Sequence, residues 1–283
     1  MSEYRSFNIV VNKTHAISNN TFKISFKGGG IKIGPGSEMC LAVSTIPYSW
    51  FNISSVYNNN KLDFYWPTAS ATYSKITLTI PDGYYTTTTL NNYLQSQFVS
   101  NGYYLIDNTG NFVYYFSVLY NTTYYANQII ALPVPISLPS GWTQPTGFAG
   151  FPTVARCPYI DILSTYKISD FLGFNTGSYP GSRTTAYSIN SNITPIGSYV
   201  NSVIIHCDLI NNDLLNPPTI LDMIPITSSF GSNIYTNNNS QKWVTLKEGN
   251  YTNLTIFLTD ENFTMLNALD NNSSFILFIR MKK

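Results

Sequence analysis

Charge is what this sequence is shortest of. Only 10% of its 283 residues are Asp, Glu, Lys or Arg, against about 25% in an ordinary soluble domain. The 15 basic and 14 acidic residues leave a net charge of +1. No basic stripe runs along the chain, and the one cluster is Arg280-Met281-Lys282-Lys283. Direct nucleic-acid binding over a broad surface, which needs many cations aimed at phosphates, is therefore not expected. Long apolar runs are missing too. The longest, Phe275 to Ile279, is far short of the roughly 20 residues that span a bilayer. The opening Met1-Ser2-Glu3-Tyr4-Arg5 lacks the apolar stretch of a secretory signal.

Catalytic material is equally scarce. There are two histidines, His15 and His206, and 3 cysteines, Cys40, Cys157 and Cys207. An odd, widely spaced set reads as buried thiols of a chain made in a reducing compartment, not as a disulfide framework. Neither Cys nor His recurs at the close spacings of a zinc site. His206, Cys207 and Asp208 are adjacent in a strand-like run, where neighbours point to opposite faces, so Cys207 and His206 cannot act as nucleophile and base. A pairing of His15 with Cys40 or Cys157 through the fold stays open. Asp260-Glu261, and Asp208 with Asp213, read as helix caps and solvated loops before they read as calcium ligands. Gly28-Gly29-Gly30 lacks the glycine–lysine–hydroxyl order of a phosphate loop and is a tight connection between strands. Asn-X-Ser/Thr matches at Asn52, Asn121 and Asn253 are chance products of a chain with 32 asparagines. The expectation is a protein with no catalytic, cofactor-binding or metal residues, and not an enzyme.

What the chain has in plenty is aromatic and amide side chains. Aromatics make up 15%, with 22 Tyr and 17 Phe. Flat apolar area with polar tips, on a surface that repels its copies weakly, suits a subunit covered by neighbours. The pairs Tyr84-Tyr85, Tyr103-Tyr104, Tyr114-Tyr115 and Tyr124-Tyr125 are too dense for one core. In strands half of them would face a second surface, which is the far side of a two-sided sheet within one monomer, a packing surface between subunits, or a platform for sugars.

Period-two alternation recurs in short segments: Phe22, Ile24, Phe26; Ile76, Leu78, Ile80; Leu254, Ile256, Leu258. Further strands are predicted at 7–11, 39–46, 62–66, 112–120, 128–134, 159–163, 203–208, 219–224, 242–246 and 275–279. Turn chemistry separates them, which argues an all-β sandwich or jelly roll. Three helices are predicted. One is capped by Thr87 or Thr88, buries Leu90, Tyr93, Leu94 and Phe98, and stops at Asn101-Gly102. A short one, Ser169 to Leu172, ends at Gly173. A third runs from Glu261 to Leu269 with Asp260 as cap.

Several segments resemble the minor capsid (penton) proteins of virophages and polinton-like viruses. They are Ile46-Pro47-Tyr48-Ser49-Trp50-Phe51-Asn52-Ile53 followed by Asn58-Asn59-Asn60, Ile80-Pro81-Asp82-Gly83-Tyr84-Tyr85 running into Leu90-Asn91-Asn92-Tyr93-Leu94, and Asp170-Phe171-Leu172-Gly173-Phe174. The resemblance covers roughly residues 40 to 177. It implies a single jelly roll (1–56 and 178–283) interrupted by a small α+β insertion domain (57–177). It also implies a structural protein that forms a homopentamer at the icosahedral five-fold vertices of the virion, contacts a double-jelly-roll major capsid protein, and is made in the host cytoplasm. No cofactor is implied, and no motif specifies a receptor on a host cell or giant virus. The alternative is a lectin-like β-sandwich in which Trp50, Trp66, Trp142 and Trp243 stack on sugars. A further rival is a hydrolase using His15 with Cys40 or Cys157, or a glycosidase.

Overall fold

The computed structural model of the chain describes residues 4–68, 72–181, 183–238 and 240–282. Residues 1–3 of the opening segment and Lys283 of the basic cluster lie outside them. The chain forms two compact units, one made of residues 1–50 and 200–283, the other of 51–199.

The first unit has eight principal strands: β1 (Tyr4–Val11), β2 (Thr21–Ser25), β3 (Glu38–Pro47), β4 (Ser202–Cys207), β5 (Ile220–Pro225), β6 (Asn233–Asn237), β7 (Asn253–Thr259) and β8 (Ser274–Lys282). They form two antiparallel sheets. One has the order β1-β8-β3-β6, with Val244–Thr245 also pairing on β3. The other has the order β5-β4-β7-β2 and is extended by Ala16–Ser18. Successive strands thus switch repeatedly from sheet to sheet, and this interleaving is the jelly roll. Registers follow the alternation in the sequence. Phe275, Leu277 and Ile279 on β8 and Leu254, Ile256 and Leu258 on β7 are all fully buried, with half-exposed residues between them. The Phe22 ring of one sheet meets the Phe275 ring of the other edge-on at 5.4 Å, so the two inner faces share one core.

The second unit is α+β. A four-stranded antiparallel sheet has the order Gly177–Tyr179, Tyr159–Ile162, Lys61–Pro67, Tyr73–Thr79, and a three-stranded one the order Phe116–Asn121, Ala126–Ala131, Tyr187–Asn190. Helix α1 (Thr87–Ser100) buries Leu90, Leu94 and Phe98, and the Phe98 ring sits 4.6 Å from Phe64. Its cap is Thr86, one residue earlier than expected: Thr86 Oγ1 accepts from the Thr89 N–H while the Thr89 hydroxyl accepts from the Thr86 N–H. Helix α2 (Ile168–Leu172) ends at Gly173, whose φ of 75° is the left-handed stop its sequence promised. A Cβ at that glycine would come 2.7 Å from the Ile193 carbonyl oxygen.

One expected element is corrected. The helix expected over 261–269 does not form. Asp260 Oδ1 instead accepts from the N–H groups of Asn262 and Thr264, and Thr259 bridges Met265 in antiparallel fashion, so local side-chain bonds outcompete the helix. Tyr103 and Tyr104 are both buried, the outcome expected of a sheet covered on two sides within one monomer. Tyr103 stacks on Trp66 at 5.1 Å, and Tyr104 packs on Phe112 across the small hairpin of Tyr104–Ile106 and Phe112–Tyr114. The domain limits expected at 56 and 177 compare with observed limits at 50 and 199. Residues past 177 belong to the second unit because Gly177–Tyr179 and Tyr187–Asn190 complete its two sheets.

Candidate functional site

The histidines and cysteines flagged in the sequence are held in place by the scaffold around them. His206 on β4 is buried, hydrogen-bonded at both ring nitrogens to Thr219 (3.0 Å) and Thr259 (2.9 Å), and stacked flat on Phe257 at 4.5 Å. Burial holds its imidazole below the ordinary value, which favours the neutral ring. Desolvation pushes the Cys207 thiol up to about 12 and the Cys157 thiol up to about 11, and raises Cys40 as well. All three cysteines are free and buried. At neutral pH they are thiols, the inert form, not thiolates. His15 sits in a turn of 3-10 helix at Lys13–His15, where its Nδ1 accepts from the Asn12 N–H at 3.2 Å.

The acidic candidates are similarly occupied. Asp208 Oδ1 accepts from the Thr255 N–H at 2.9 Å, and Asp213 accepts from the Asn211 amide at 2.8 Å. Glu261 takes the N–H groups of Asn201 and Ser202 and the Asn201 amide. Among the described residues, no group of three or more His, Cys, Asp or Glu side chains is placed to hold a metal ion. No helix of the described residues is long and apolar enough to cross a membrane.

Two of the four tryptophans are withdrawn from any sugar platform, and the other two are half-buried. Trp50 and Trp66 are each 1% exposed and belong to the cores of their units. Trp142 packs against the core of the second unit, and Trp243 lies 4.1 Å beneath the Arg280 guanidinium. Exposed aromatic area comes from tyrosines instead, above all Tyr124 (69%) and Tyr125 (66%) in the turn after Phe116–Asn121.

That turn borders a cleft of about 320 Å³ at the N-terminal end of α1. Its walls are Tyr84, Tyr85, Tyr120 and Tyr125, with Thr86, Thr87 and Thr88 from the start of the helix, Pro195 and Gly197 opposite, and Asn127 and Phe171 beneath. Asn127 is 1% exposed. Its amide donates to the carbonyls of Phe171 (3.0 Å) and Leu172 (3.1 Å), while its Oδ1 accepts from the Thr87 hydroxyl at 2.6 Å. The doubled tyrosines flagged in the sequence supply part of this lining. Asn127, Phe171 and Pro195 carry no local signal; only the fold brings them together.

The chain matches no protein-family profile and no curated protein. Among solved structures, the mavirus penton protein aligns over 99% of this chain and 100% of its own, at 9% identity and a TM-score of 0.46. A structure of the Sputnik virophage aligns over 100% of this chain and 99% of its own, at 9% identity and a TM-score of 0.44. Likenesses at that level fix neither family nor function.

Proposed function

We propose that this chain is a structural capsid protein: a penton subunit that assembles into a homopentamer at the five-fold vertices of a virion and contacts a double-jelly-roll major capsid protein. The topology admits the reading, and the exposed surface carries it. Strands from both ends of the chain build one complete jelly roll, and the β3 to β4 connection holds a whole second unit. Capsid and lectin domains share the sandwich, so fold alone does not choose between them. The surface favours the capsid. A chain with only 10% charged residues leaves apolar side chains in the open, among them Leu214 (94%), Val56 (70%) and Ile17 (66%). Such side chains lower the cost of burying a large interface. Burial of Trp50 and Trp66 leaves a Trp-based lectin reading only Trp142 and Trp243, both half-buried.

On this reading the chain works without catalysis, cofactor or bound nucleic acid, and its place is the virion. A heterologous contact repeated around an axis closes a ring of five. Native mass spectrometry of the purified protein tests it. A species of five times the 31.7 kDa chain is the expected result. A monomer at every concentration, with no co-sedimentation with capsid shells, overturns it.

A further inference from the structure

The cleft at the start of α1 lies wholly within the second unit and has no part in the assembly reading. We propose that it binds a neutral carbohydrate, a monosaccharide or disaccharide.

Several observations converge on that class of ligand. The lining contains no Lys, Arg, His, Asp or Glu among the residues that form it, so there is no counter-charge for a phosphate, a nucleotide or an acidic sugar. Its lining combines four tyrosines with the hydroxyl side chains of Thr86, Thr87 and Thr88. A sugar ring presents an apolar C–H face and a rim of hydroxyls, and needs this mixture: π-faces to stack on and short polar groups to fix its orientation. The Tyr120 and Tyr125 rings stand 6.3 Å apart at 80°, giving two walls at nearly a right angle.

The site is also built in advance. Asn127 locks the floor through its bonds to Phe171, Leu172 and Thr87. Tyr85 is fixed by its hydroxyl on the Pro81 carbonyl (2.9 Å), and its ring lies so close to Gly83 that a Cβ there would come within 2.9 Å of it. Tyr125 has φ of 49°, a left-handed conformation that is uncommon for a bulky residue. The chain holds this strained residue while leaving it 66% exposed, where it stabilises no core. A volume near 320 Å³ lies at the small end of ligand sites.

Saturation-transfer NMR on the full chain, with methyl glycosides of glucose, galactose, mannose and N-acetylglucosamine as probes and sialic acid as the charged comparison, tests the site. At least one neutral glycoside should receive saturation, and Tyr125→Asn should weaken its binding about tenfold or more. Asparagine tolerates the left-handed backbone, so this variant keeps the turn and loses only the ring. Tyr120→Ala should act in the same direction, and Tyr235→Ala, on the jelly roll, should change nothing. Silence from all four glycosides at millimolar concentration, a signal that survives in the Tyr120→Ala, Tyr125→Asn double variant, or a response to sialic acid alone would each overturn the proposal. The outcome is separable from assembly: a monomer that binds glycoside keeps this site and loses the penton role, and a pentamer that binds none does the reverse.

Discussion

In the jelly-roll unit the buried polar side chains are mainly hydroxyls and one imidazole, such as Ser44, Thr259 and His206; in the second unit they are mainly asparagines, Asn52, Asn59, Asn60, Asn91 and Asn127. The cores differ in step. β7 and β8 bury chiefly aliphatic side chains, whereas the second unit centres on Phe64, Trp66, Phe98, Tyr103 and Phe116. Both contrasts have one cause. Long ladders satisfy the backbone of the jelly roll, so its interior can be filled with branched aliphatics. The second unit has short strands and long irregular connections, whose orphaned carbonyls and N–H groups must find partners elsewhere. Asparagine supplies both kinds of partner. Asn52 donates to the carbonyls of Tyr85 and Gly197 and accepts from the Tyr85 N–H, and Asn91 accepts from the Val118 N–H. Part of the amide richness that composition suggests for surfaces is therefore internal carpentry.

The comparison can be broken most forcefully at Trp66, buried and stacked on Tyr103. Trp66→Ala should cost about 3–5 kcal/mol, and hydrogen–deuterium exchange should show the loosening confined to residues 51–199. Loosening spread equally over β7 and β8 would show that the two cores are not separate. Next in size is Asn127→Ala, which strands two buried carbonyls and the Thr87 hydroxyl. It should cost about 2–3 kcal/mol in urea denaturation. Ser44→Ala, which removes one bond to Thr236 (2.7 Å) in the jelly roll, should cost about 1 kcal/mol. Equal costs would erase the distinction between amide-dependent and ladder-dependent units.

A smaller effect is expected from His206. Burial holds the folded-state pKa below the ordinary 6.5, so the unfolded chain takes up the proton first as pH falls. Stability is full above about 6.5 and declines as pH drops through that value toward the folded pKa. Melting temperature should therefore fall between pH 7 and pH 5 by more in the parent than in His206→Gln, and parallel curves would remove the imidazole from the account. The smallest expected effect is none: Cys40, Cys157 and Cys207 should resist alkylation by iodoacetamide at pH 7.5 in the native state and react once unfolded. Rapid native labelling of any of them would reopen the hydrolase reading.

Sequence pattern reached the strands whose inner residues alternate cleanly, such as Leu254, Ile256 and Leu258, because burial on one face writes period two directly. It passed over β6, Asn233–Asn237, where Ile234 alone is fully buried and the pairing with β3 makes the strand. It also missed Tyr187–Asn190, which is a strand because Ala126–Ala131 offers it an edge. The third helix failed for a related reason: Asp260 was read as a cap, and it caps a turn that goes no further. The cleft was half legible. Doubled tyrosines mark exposed aromatic area, but a floor built from residues 127 and 171 is a product of topology and leaves no trace in local sequence.

The position of β8 carries a consequence for biosynthesis. It is the final strand of the sandwich, yet it lies inside its sheet, with β1 on one flank and β3 on the other. Residues 51–199 emerge from the ribosome as an uninterrupted stretch and can close on themselves while translation continues. The jelly roll cannot; two of its earliest strands wait for a shared neighbour made last. Until Ser274–Lys282 has been synthesised, Tyr4–Val11 and Glu38–Pro47 lack the strand that joins them, so any surface that depends on the finished sandwich forms only after it.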